Sequence, residues 1–109
     1  MTNLISIAPM PAKKIPIGFR FDITFTYNGK RLTYPIIKTW DNAGMEHFML
    51  MGSQKVILLQ SNRPLLRAKG LKHRHIDYKL LFGDVPYQSL LEDIKKAIDS
   101  YITNYELSH

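Results

Sequence analysis

The dipeptide Asn28-Gly29 and its flanks constrain this chain more tightly than any other stretch. Phe19, Phe21, Ile23, Phe25 and Tyr27 alternate with Arg20, Asp22, Thr24 and Thr26, the period of a strand with one face in a core. Asn-Gly between two such runs predicts a type I′ turn, because both central residues must take positive φ. A two-residue loop also fixes register. Tyr27 then faces Lys30, Phe25 faces Leu32, Ile23 faces Tyr34 and Phe21 faces Ile36, with the apolar residues on one face. Pro35 falls opposite Asp22 at a non-hydrogen-bonded pair, so its missing N–H points away from the first strand. The far side of the second strand is therefore expected to be an edge, or to bulge at Pro35.

Downstream, Trp40–Gly44 reads as a loop. His47–Met51 and Lys55–Gln60 flank Gly52-Ser53-Gln54 and predict a second hairpin. Ser61-Asn62-Arg63-Pro64 is a break, and Arg63–Lys72 reads as a loop with a short helical turn at Leu65–Lys69. His75–Phe82 predicts a fifth strand with Ile76, Tyr78, Leu80 and Phe82 on one face. Gly83-Asp84-Val85-Pro86 closes the sheet. Ser89-Leu90-Leu91-Glu92 has the spacing of a capping box. From there Leu90, Leu91, Ile94, Ala97, Ile98, Tyr101, Ile102 and Tyr105 recur at helical spacing, and Glu92 and Lys96 are placed to pair across one turn. The expected helix is roughly 17–20 residues long, and its apolar stripe needs a large partner. The fold class expected is therefore α+β: a mostly antiparallel sheet of about five strands, two hairpins plus one strand, covered on one face by a long C-terminal helix.

With 109 residues the chain holds one core, not two. Pro9, Pro11, Pro16 and Gly18 around Lys13 and Lys14 predict a flexible arm over 1–18, leaving 19–109 as a single α+β domain. There is no cysteine, which excludes disulfides, thiolate catalysis and Cys-based zinc sites. The run Leu4–Ala8 is too short for a signal-peptide core, and no stretch approaches ~20 apolar residues. A cytoplasmic protein without a membrane partner is expected.

The net charge of +6 is unevenly spread. Residues 83–109 hold five acids against Lys95 and Lys96, so the excess of positive charge belongs to the preceding segment. Its densest part runs from Arg63 to Lys79, where Arg63, Arg67, Lys69, Lys72, His73, Arg74, His75 and Lys79 stand against one acid, Asp77. Such a run makes a positive potential that attracts polyanions. These eight residues are the candidate binding residues. Thr24, Thr26, Arg31 and Thr33 are expected on the face away from the core, where they could join His73, His75 and Lys79.

His73, His75 and Asp77 alternate, and His-x-His-x-Asp resembles the metal-binding signature of metallo-β-lactamase-type hydrolases. That signature continues with a further His where this chain has Tyr78, and Lys72, Arg74 and Lys79 would repel a divalent cation. No metal and no cofactor are expected. The same histidines have the unperturbed pKa suited to acid–base cleavage of RNA, which makes a small endoribonuclease-like enzyme the third reading. No phosphate loop, nucleophile elbow or other catalytic motif occurs. The expected function is that of a non-enzymatic domain whose basic segment 63–79 contacts a polyanion, foremost the backbone of a nucleic acid. The alternative is a protein-interaction or adaptor module, homodimeric or with another protein partner, suggested by the edge at Pro35, the Met49–Met51 run and Trp40.

Overall fold

The computed structural model of the chain describes residues 14–71 and 76–108. Five strands, β1 (Arg20–Tyr27), β2 (Lys30–Asp41), β3 (Glu46–Met51), β4 (Val56–Ser61) and β5 (Tyr78–Phe82), form one sheet in the order β1-β2-β3-β4-β5. Every neighbouring pair is antiparallel. A short helix α1 (Arg63–Ala68) joins β4 to β5, and the long helix α2 (Gln88–Ser108) follows β5. This is the α+β arrangement that the alternation and the helical stripe predict.

The first hairpin has the expected register, with Tyr27 opposite Lys30 and Phe21 opposite Ile36. Asn28 and Gly29 have φ of 51° and 76°, the left-handed pair that a I′ turn requires. Asp22 faces Pro35, and pairing of β2 with β3 begins only at Ile36. Pro35 thus ends the ladder on its far side. The irregularity in β2 lies at Thr39, between Lys38 and Trp40.

Phe21, Ile23, Ile36, Phe48, Leu50, Ile57, Leu59 and Tyr78 bury one face of the sheet in a single cluster with Leu91, Ile94, Ile98 and Ile102 of α2. Tyr101 stacks on Phe21 with ring centroids 4.1 Å apart, and Tyr105 meets Phe19 edge-on at 5.3 Å. Each fully buried aliphatic side chain in such a cluster is worth about 1.5–3 kcal/mol, so this contact dominates the stability of the domain.

Several local expectations are corrected. Trp40 and Asp41 are not loop residues. They extend β2 by pairing with His47 and Glu46, and the turn shrinks to the segment capped by Asn42, whose Oδ1 accepts from the N–H groups of Gly44 and Met45. The short helical turn expected at Leu65–Lys69 is present as α1 but starts earlier, at Arg63, with Pro64 in its first turn, where a missing N–H costs nothing. The described part of the fifth strand starts at Tyr78, and His75 lies outside the described residues. Phe82 leaves the core face. A shift between Leu59–Leu80 and Leu58–Phe82 places it opposite Leu58, and it is 65% exposed. The capping box does not form, because α2 begins at Gln88 and Ser89 falls inside its first turn, where its hydroxyl meets the Tyr27 hydroxyl at 2.7 Å. Glu92 accepts from Gln88 and from Lys95, not Lys96.

Of the arm expected over 1–18, residues 14–18 are docked on the sheet. Ile15 is buried in the core, and Gly18 donates to the Lys38 carbonyl. Residues 1–13 lie outside the described residues.

Ile98, at the centre of the helix contact and fully buried, tests the weight of this layer. Ile98→Ala is expected to cost about 2–5 kcal/mol, read from the urea midpoint at unchanged slope.

Candidate nucleic-acid interface

The inner face of the sheet changes character toward one end, where its strands present Lys38, Glu46 and Ser61 to the core. All three are buried. The Lys38 ammonium donates to the Ile15 carbonyl at 2.8 Å and lies 2.9 Å from Asp41 and 3.3 Å from Glu46. The Ser61 hydroxyl donates to the other Glu46 oxygen and accepts from the Arg63 backbone N–H. A buried ammonium with two carboxylates and a carbonyl is satisfied in both charge and hydrogen bonding, the condition under which such burial is tolerated. The hydrogen bond from Lys38 holds the Asp41 carboxyl below its usual range. Burial opposes this, and Lys14, 3.1 Å away, adds to it.

Beyond Ser61 the same polar end continues into the helices. Arg63 is buried, and its guanidinium is forked between Asp99 and Glu106 of α2. Arg67 pairs with the second oxygen of Glu106, and burial lowers its pKa. The Tyr78 hydroxyl donates to Asp99 at 3.0 Å. Its phenol is pushed above the usual tyrosine range, chiefly by burial; Arg63 acts in the opposite sense and Asp99 adds to the rise.

The eight sequence-predicted residues therefore separate. Arg63 and Arg67 come together under α2, where carboxylates neutralise them, and a phosphate would have to displace those partners. Lys69 is exposed just past α1. Lys79 is exposed on β5, with its side chain on the face opposite α2. Lys72, His73, Arg74 and His75 lie outside the described residues, and with them the His-x-His-x-Asp pattern. Among the described residues no group of three His, Asp or Glu is placed to hold a metal ion, and no helix is long and apolar enough to cross a membrane.

The face of the sheet turned away from α2 carries what the sequence reading missed. Cross-strand register sets Trp40 of β2, His47 of β3, Gln60 of β4 and Lys79 of β5 in one row. The indole and the imidazole are in contact, ring centroids 4.5 Å apart. The imidazole Nε2 lies 3.0 Å from the Gln60 carbonyl oxygen. The neighbouring row runs Arg20, Ile37, Met49, Leu58 and Phe82 across all five strands. As expected, Thr24, Thr26, Arg31 and Thr33 are exposed, and the Thr24 and Thr33 hydroxyls meet at 3.0 Å. Trp40 is 41% exposed and Phe82 65%, so this face bears aromatic surface that a strand period alone does not reveal. The available signal was the alternation of His47, Met49 and Met51 with Phe48 and Leu50, which puts His47 on the outer side.

No family model, no curated protein and no solved structure matches the chain.

Two outcomes follow from the buried charges. Lys38→Ala leaves the Glu46 and Asp41 carboxylates without their shared cation and is expected to cost about 3–5 kcal/mol; the paired change Lys38→Met with Glu46→Leu costs less than the single one in the same urea series. Alkaline titration gives the second. Folded Tyr78 keeps its proton where the unfolded chain releases it, near pH ~10. Its contribution is thus complete below that pH and is lost as pH rises toward the folded value. Tyr78→Phe should flatten the fall in melting temperature above pH ~10, and an unchanged fall would contradict the burial of this phenol.

Proposed function

We propose that this is a small cytoplasmic, non-enzymatic domain that contacts the backbone of a nucleic acid through its sheet layer and the connections at its edges. The observation that carries the reading is how charge is divided between the two layers. Arg20, Lys30, Arg31, Lys55, Lys69 and Lys79 are exposed and have no ion pair among the described residues, and all belong to the strands or their connections. Asp22, Asp77 and Asp84 are the exposed acids among the described strands and connections, half as many as these cations. The helix layer is the acidic one, and it spends Asp99 and Glu106 on Arg63 and Arg67. A polyanion would meet attraction on the sheet side and little net charge along α2, where Lys95 and Lys96 offset Glu92 and Asp93 once Asp99 and Glu106 are engaged. Lys72, His73, Arg74 and His75 lie outside the described residues and enter only the net charge of the chain.

A second reading has its own support. The Ile37–Met49–Leu58–Phe82 row, flanked by Val56 and Leu81 at 41% exposure each, is apolar enough for a protein contact.

Fluorescence anisotropy with labelled single-stranded RNA and DNA at low salt decides between them. Association at micromolar protein is expected, weakening with added salt at about 0.7 log units per log unit for each phosphate neutralised. Arg31→Glu with Lys79→Glu should weaken it by about tenfold or more, because two attractive contacts become repulsive. No association at micromolar protein would remove the proposal, and a salt-insensitive dimer by light scattering would favour the second reading.

A further inference from the structure

We infer that the Trp40–His47–Gln60–Lys79 row is a seat for an unpaired nucleobase, so that the ligand is single-stranded nucleic acid and is held by stacking as well as by charge. This deepens the polyanion reading and rests on it. Trp40 is the chain's only tryptophan, and it stands on the face with no helix over it. Its ring is not loose. One side rests on His47, and His47 is in turn held through Nε2 by Gln60. The remaining indole surface is open, and a positioned aromatic ring loses little freedom when a base stacks on it.

The neighbours suit a nucleotide better than an aliphatic partner. With the Gln60 carbonyl oxygen accepting from His47, its amide N–H groups are left to donate to a base edge. Lys79, exposed and without an ion pair among the described residues, closes the row, and Arg20 opens the adjacent one, so the aromatic seat is flanked by charges complementary to phosphate. Three strand spacings separate Trp40 from Lys79, about 14 Å. A strand with one base on Trp40 and a later phosphate at Lys79 therefore runs across the β-strands. A duplex keeps its bases stacked internally and cannot offer a face to Trp40. A second copy of the chain is the rival occupant of this surface.

The single tryptophan reports on its own occupancy. Intact protein is titrated with twelve-residue oligomers of uridine and of thymidine and with inorganic polyphosphate. Binding is followed in parallel by anisotropy and by Trp40 emission. The expected result is strong quenching by both oligomers and none by polyphosphate. Trp40→Ala should weaken oligomer binding by at least about fivefold with an unchanged salt slope, and Trp40→Phe should restore most of the loss. Circular dichroism confirms that the variants fold. Oligomer binding without quenching and undiminished in Trp40→Ala overturns the seat and leaves the phosphate contact standing. Emission that shifts with protein concentration alone, alongside dimer formation, assigns the face to a second copy and also overturns it. Absence of oligomer binding by anisotropy removes both this inference and the reading beneath it.

Discussion

An arginine side chain does not lose its charge at any pH a folded protein meets, so wherever Arg63 is buried, carboxylates must come to it. Here they come from α2. Asp99 and Glu106 fork the guanidinium from positions about two turns apart on the helix, which fixes the helix lengthwise on the sheet in a way that an apolar stripe alone does not. Leu91, Ile94, Ile98 and Ile102 supply the driving force, and the guanidinium fork sets the register. Lys38 plays the matching part on the other side of Ser61, drawing the docked residues 14–18 and the β2–β3 turn into the same polar end. The covered face is thereby committed to structure. The opposite face has no described helix over it and is the one we propose for binding.

The local grammar of the first hairpin was readable because two independent constraints, residue period and turn chemistry, agree over Phe19–Ile36. The stripe of α2 was readable for the same reason. What was not readable depends on contacts distant in sequence. Ser89 has the spacing of a capping residue, yet the helix begins at Gln88 and the Ser89 hydroxyl instead meets Tyr27, 62 positions away. Phe82 continues a core pattern, yet one bulge turns it outward. Trp40 follows Lys38 through the irregularity at Thr39, and no period crosses such a point intact. Arg63 and Arg67 count as surface charges in any sequence tally, and only the fold shows Glu106 between them.

This sorting bears directly on function. A basic run in a sequence is a sum over residues with different fates, and the part available to a ligand is what remains after internal pairing. From Arg63–Lys79 the remainder among the described residues is Lys69 and Lys79, while Arg20 and Arg31 enter from the first hairpin. The surface we propose thus moves from a segment to a sheet face, and it gains in Trp40, His47 and Gln60 groups with the chemistry to address a base as well as a phosphate.

The central claim is that the two faces of the sheet have separate duties, one sealed by α2 and one presented to ligand. Amide and side-chain chemical-shift mapping by nuclear magnetic resonance during titration with a short single-stranded oligonucleotide tests it most directly. The account predicts that perturbations concentrate at the Trp40 indole N–H, the Gln60 amide group and the outward residues of β2 to β5, with α2 silent. Perturbations concentrated along α2, or at Arg63 and Arg67 with loss of their pairing to Asp99 and Glu106, would contradict it.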